Sequence, residues 1–235
     1  MKPYAFNNVH ALMAGTSKPA SARSITRPRR PAASPGAGIV DRIVFAPYEP
    51  RDPDGATAPA AVLIRYAAPA DAAPVAALMA ARDGTEGDVH HEKLAAEFLR
   101  PDLGDKRLLL VAHHGDDVVG FARALYCVPE ADAPPNVAPQ GWYLGGVVVA
   151  AGHRRRGIGR ELTRRRLAWL VARGARAAWF VVNADNRASI DLHAPFGFRE
   201  VTRDFVQKGV TFSGRGIGIL YRADLDAAAG GIAPP

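Results

Sequence analysis

Apolar and polar positions along residues 62–222 follow two periods, and each change of period marks an element. Val62-Leu63-Ile64-Arg65-Tyr66 is a short β run. Asp71 stands where a helix N-cap belongs, and Val75, Leu78 and Met79 are spaced to form one apolar face. After a polar break at 83–88, Leu94, Phe98 and Leu99 predict a second helix. The runs 107–112 and 118–124 flank His114-Gly115-Asp116-Asp117, a strand, hairpin turn and strand. Four prolines within 129–140 mark a loop, and a strand at 142–149 follows. A helix is predicted from about 158 to 173, stopped by Gly174 in the C′ position. Residues 177–182 form another apolar strand and 186–194 a short helix, and the runs 198–206 and 212–221 close the pattern as strands. The order β-α-α-β-β-β-α-β-α-β-β predicts an α/β fold, a mixed sheet with helices on its faces.

The periodic region bounds one domain, 62–225, between a basic, Pro-rich and disordered extension with linker at 1–61 and a flexible tail at 226–235. The chain has 235 residues and a formal charge of +7, but residues 1–40 hold six basic and no acidic side chains. The high charge is therefore mostly a property of that extension, and nucleic acid is disfavoured as a partner of the folded part. No run approaches the ~18 apolar residues of a transmembrane helix. The apolar patch at 11–15 is too short for a secretory signal, so a cytoplasmic location is expected. A single cysteine, Cys127, excludes an internal disulfide and a multi-cysteine zinc site, and no metal is expected.

Chemistry concentrates at Arg154-Arg155-Arg156-Gly157-Ile158-Gly159, between an apolar strand and a helix. A basic, glycine-containing turn into a helix presents backbone N–H groups and positive charge to an anion. The G-x-G-x-x-G of a dinucleotide turn is absent, and Ile158 stands where a phosphate-binding P-loop needs lysine. The tetrapeptide Arg-Gly-Ile-Gly recurs at 215–218, but no helix follows it.

Arg154, Gly157 and Gly159, with Val149 five residues before Arg154, match [Q/R]-x-x-G-x-[G/A] after a strand ending in valine. This resembles the acetyl-CoA-binding motif of the GNAT superfamily of N-acetyltransferases. The run from Asn186 through His193 to Gly197-Phe198 resembles the second signature of that family, and the Ser-Ile-x-Leu-His pattern within it is similar to phosphinothricin-type members. The resemblance implies a GNAT-like, mostly antiparallel sheet of six to seven strands flanked by about four helices. It implies acetyl transfer from acetyl-CoA to a primary amine of a small molecule or peptide by direct attack, and it admits a homodimer. It further implies cofactor binding by Val147, Val149, Arg154, Arg155, Arg156, Gly157, Gly159, Arg160, Asn186 and Ser189.

The family often places a tyrosine where His193 stands, which makes His193 the candidate general acid. The strand before the turn carries no carboxylate between Trp142 and Val149, so the general base has no obvious residue. Glu86 is a candidate, with Asp83, Asp88, His90 and His91 around it, and Tyr126 and Tyr143 are candidates for holding a water. Two other readings stay open: a CoA-binding but inactive relative, and a basic nucleic-acid-binding module built on the seven arginines from Arg154 to Arg166.

Overall fold

A computed structural model of the chain describes residues 62–84, 87–98, 101–212 and 216–225. The predicted extension and tail lie outside these residues. The elements are β1 (Leu63–Tyr66), α1 (Ala72–Asp83), α2 (Gly87–Phe98), β2 (Arg107–His114), β3 (Asp117–Cys127), β4 (Gly141–Val149), α3 (Ile158–Val171), β5 (Ala177–Asn183), α4 (Arg187–His193), β6 (Arg199–Thr202) and β7 (Gly218–Asp224). This is the order predicted from the sequence. The described strands form one seven-stranded sheet, β1-β2-β3-β4-β5-β7-β6. Only β4 and β5 pair in parallel; every other neighbour is antiparallel.

Strand alternation sorts the core into two layers. Val75, Met79 and Leu94 of α1 and α2 pack on Val111, Phe121 and Val148 of one sheet face. On the other face Ile158, Leu162, Leu167 and Leu170 of α3 pack on Leu110, Ala122, Leu144 and Phe180. Each such fully buried side chain contributes roughly 1.5–3 kcal/mol, which makes α3 the main clamp across the middle of the sheet. The helix stops as its sequence predicts. Gly174 takes φ +73°, its N–H donates to Val171 O at 2.9 Å, and the Ala175 N–H donates to Leu170 O at 3.1 Å.

One local expectation is refined and two are corrected. Asp71 is the N-cap residue of α1, as expected, but its side chain makes no cap bond to the helix; its carboxylate accepts from the Ala68 N–H at 2.7 Å and from both Nη atoms of Arg65 at 2.7 and 2.8 Å. It closes a 3-10 turn at Pro69–Asp71 and ties that turn to β1. The strand expected at 198–206 ends at Thr202, whose Oγ1 accepts from the Asp204 N–H at 3.0 Å and turns the chain. The last strand starts at Gly218 instead of 212, because the Phe212 ring folds over Gly218 and occupies the space a Cβ would need there.

Candidate active site

The two parallel strands at the centre separate almost as soon as they meet. β4 and β5 pair only through Trp142↔Ala178 and Tyr143↔Trp179. Beyond that point β4 carries an extra residue relative to β3, since Ala124 faces Leu144 while Ala122 faces Val147. Gly145 and Gly146 form this bulge, and a Cβ on Gly145 would lie 3.2 Å from the Arg123 Cβ. Glycine inside a strand is a signal of such a bulge that the residue pattern alone left unused.

The bulge and the separation leave β4 with an open edge. The Ala150 N–H donates to Val119 O at 2.8 Å on the β3 side. By alternation the backbone groups of Val149 and Val147 face the other way, into the gap left by β5. Side-chain donors fill part of it: the Arg154 Nε donates to Val149 O at 3.1 Å and the Arg166 Nη1 to Gly145 O at 2.9 Å. The N–H groups of Val147 and Val149 remain on that edge.

The gap runs toward the start of α3. Gly157 is the N-cap residue, with φ +79°, no side-chain cap and open space around the position of a Cβ. Arg155 also adopts a left-handed φ, +63°, which makes this the one place among the described residues where a non-glycine does so. The first N–H groups of a 14-residue helix thus face outward uncapped, beside the exposed Arg154, Arg155, Arg156 and Arg160. Glu161, the acid in the first turn, is drawn back along the helix: the Arg164 guanidinium at 2.8 Å, then Arg165 at 3.0 Å, hold its carboxyl below the usual carboxylate range. A Cβ on Gly159 would lie 3.6 Å from the Leu192 side chain and 3.9 Å from Val149, so the turn, β4 and α4 converge there. Donors, charge and absent side chains together fit a diphosphate.

Behind the open edge lies a polar group that the sequence reading missed. Arg166 is fully buried. Its Nη1 also donates to Arg123 O at 3.1 Å, and its Nη2 to Thr163 Oγ1 at 2.8 Å. Burial pushes its guanidinium down to about 9. The signal was the i, i+4 series Ile158, Leu162, Arg166, Leu170, which puts an arginine on the apolar stripe.

His193, the candidate acid, faces that arginine. Its Nδ1 donates to Ser189 O at 2.7 Å, which leaves Nε2 as a lone pair 3.4 Å from Arg166 Nη2. The ring is 3% exposed and stacks on Phe180 at 4.3 Å between centroids. Burial, then the Arg166 charge, drive its pKa down to about 3. An imidazole in this state is neutral, and the only proton it carries is engaged, so the geometry argues against the general-acid role. Asn186 caps α4 by accepting the Ser189 N–H at 3.1 Å, so both of these proposed cofactor ligands have work inside the helix. Tyr143 donates to Pro139 O at 2.7 Å at the closed end of β4, away from the bulge. Tyr126 accepts from Gln140 Nε2 at 2.9 Å at the same end. Glu86 lies outside the described residues. Asp83 is gripped by Arg82 at 2.5 and 2.8 Å and lies 3.6 Å from His90 Nε2.

A family model described as the GNAT acetyltransferase family matches residues 75–198, more than half of the chain. The chain belongs to the GNAT acetyltransferase family. It is an acyltransferase of the class that uses acetyl-CoA, and its mixed sheet is the GNAT fold. A GNAT-family structure from Desulfovibrio desulfuricans is similar at TM-score 0.53 and 18% identity, covering 71% of this chain and all of that one. A Salmonella typhimurium protein described as an acetyltransferase with its cofactor acetyl-CoA is similar at TM-score 0.51 and 23% identity, covering 74% and 98%. A ribosomal-protein-alanine N-acetyltransferase from Brucella melitensis gives TM-score 0.52 and 25% identity, covering 69% and 99%. No curated protein matches the chain. Among the described residues no helix is long and apolar enough to cross a membrane, and no group of three or more His, Cys, Asp or Glu could hold a metal ion.

Proposed function

We propose that this GNAT protein acetylates a primary amine of a small molecule or peptide, using the turn at 154–159 and the open edge of β4 as its acetyl-CoA site. The observation that carries the reading is the separation of β4 from β5 directly before an uncapped, arginine-flanked helix N-terminus. The N–H groups of Ile158, Gly159 and Arg160 and the charge of Arg154, Arg155 and Arg156 serve the diphosphate. The N–H groups of Val147 and Val149 serve the thioester carbonyl as its oxygen gains charge, where one such donor is worth roughly 2.7–4 kcal/mol.

Direct attack on the thioester is supported by the state of the lone cysteine. Burial pushes the Cys127 thiol up to about 12, which leaves no thiolate to carry an acyl group. His193 and Asn186 act here by holding α4 and Arg166 in place behind the edge. The nucleic-acid reading loses its basis because the arginines of α3 are divided among jobs: Arg164 and Arg165 pair with Glu161, and Arg166 is buried.

The test is acetyl-CoA binding followed by thiol release. Acetyl-CoA is expected to raise the melting temperature of the full-length chain and to release thiol in the presence of an amine. Gly157→Val forces a β-branched residue to φ +79° and is expected to weaken acetyl-CoA binding at least tenfold. Binding unchanged in this variant would remove the turn from the site.

A further inference from the structure

On the α1/α2 face of the β4 bulge, opposite the side that Arg166 fills, two arginines stand over a strip of backbone with no side chains. Arg123 projects from β3 beside Gly145, whose Cβ would meet the Arg123 Cβ at 3.2 Å. Its Nε is buried and meets no acceptor among the described residues, and its Nη1 reaches Glu97 only at 4.0 Å. Glu97 is shared with Arg107 at 3.7 Å. Arg82, at the end of α1, uses Nε and Nη2 on Asp83, while its Nη1 lies 3.5 Å from where a Gly146 Cβ would be. Desolvation first, and the Arg82 charge beside it, lower the Arg123 pKa.

We propose that the acetyl acceptor is an amine that also carries a carboxylate, and that Arg123 and Arg82 bind this carboxylate over Gly145 and Gly146. This rests on the transferase reading above and names its substrate class. Three guanidinium groups (Arg82, Arg107 and Arg123) share two carboxylates, Asp83 and Glu97, so one positive charge in the cluster has no counter-charge among the described residues. A desolvated guanidinium without a hydrogen-bonded acceptor is costly, and a planar carboxylate matches its fork of donors. The cofactor diphosphate is not the missing anion, because its turn lies beyond the end of β4 while these arginines stand at mid-strand. Because Gly145 and Gly146 carry no side chains, Arg123 and Arg82 lie close over β4 beside the open edge, their nearest atoms 3.2 and 3.5 Å from where the glycine Cβ atoms would be, so a carboxylate held on their guanidinium groups presents a nearby amino group to the thioester site.

The experiment is a thiol-release screen of the full-length chain with acetyl-CoA and free L-amino acids, each compared with its own amide. At least one free amino acid is expected to react with a kcat/KM about ten- to a hundredfold above that of its amide, the span of a lost charge-assisted contact. Arg123→Gln is expected to bring that ratio close to one while acetyl-CoA still raises the melting temperature. Arg82→Gln, at the better exposed arginine, should lower the same ratio and serves if Arg123→Gln does not fold. Equal use of acids and amides by the wild type, or a ratio that survives both substitutions, overturns the carboxylate subsite and leaves the transferase reading intact. Absence of both an acetyl-CoA shift and thiol release with any amine overturns the transferase reading itself.

Discussion

The arginines around the turn into α3 and the arginine in the middle of that helix occupy opposite environments. Arg154, Arg155, Arg156 and Arg160 stand in solvent around the turn, whereas Arg166, less than two helical turns beyond Arg160, is sealed under the sheet. In water a guanidinium attracts a phosphate across a screened distance and gives way easily. Under the sheet it grips three fixed acceptors, Gly145 O, Arg123 O and Thr163 Oγ1, at 2.8 to 3.1 Å. The first set stands where the proposed diphosphate would lie, and the second holds the frame behind the edge of β4.

The sharpest way to separate the two is pH. His193 reports on the buried region because its folded pKa, about 3, lies below the 6.5 of the unfolded chain. Between those values the unfolded chain binds the extra proton. Stability is therefore complete above pH ~6.5 and is lost as pH falls toward 3, by up to about 5 kcal/mol. Urea unfolding across this range should show that slope, and His193→Gln should flatten it. An unchanged slope in the variant would assign the acid loss to other groups.

A smaller effect is expected from Arg166→Ala. Removal of the guanidinium relieves a buried charge but orphans two backbone carbonyls at roughly 1–3 kcal/mol each and leaves a void. The net loss should be about 2–4 kcal/mol in denaturant unfolding, with a drop in activity as the bulge relaxes. A variant as stable as the wild type would mean that Arg166 is replaceable filler.

The smallest change in stability should follow Arg154→Ser, Arg155→Ser and Arg156→Ser combined, within about 0.5 kcal/mol, as for exposed sites generally. Acetyl-CoA affinity should fall about tenfold at low salt and depend less on ionic strength thereafter. If the triple variant keeps the salt dependence of the parent, these side chains do not face the diphosphate.

Much of this was legible because each element is locally consistent with its place. The runs at 107–112 and 177–182, the Gly174 stop and the glycine turn at 157–159 need only near neighbours to declare themselves, and the element order followed from them. What escaped the sequence depends on distant partners. Whether Arg166 is solvated or buried is decided by β3 and β4, and the identity of His193 as a packed neutral ring depends on Phe180 and Arg166. The start of β7 was misplaced because Phe212 folds over Gly218, a tertiary contact that alternation cannot register. Arg82 and Arg123 are 41 positions apart and meet only through the sheet.

Two rungs between β4 and β5 have a mechanical meaning. The seven strands behave as two half-sheets, β1 to β4 and β5 to β6, joined by those rungs and strapped together by α3. An extended molecule laid along the open edge would supply the rungs that the strands do not make for each other. In that sense the acetyl donor would be a temporary eighth strand, and the seam it closes is where the two halves of the protein would otherwise be most easily pulled apart.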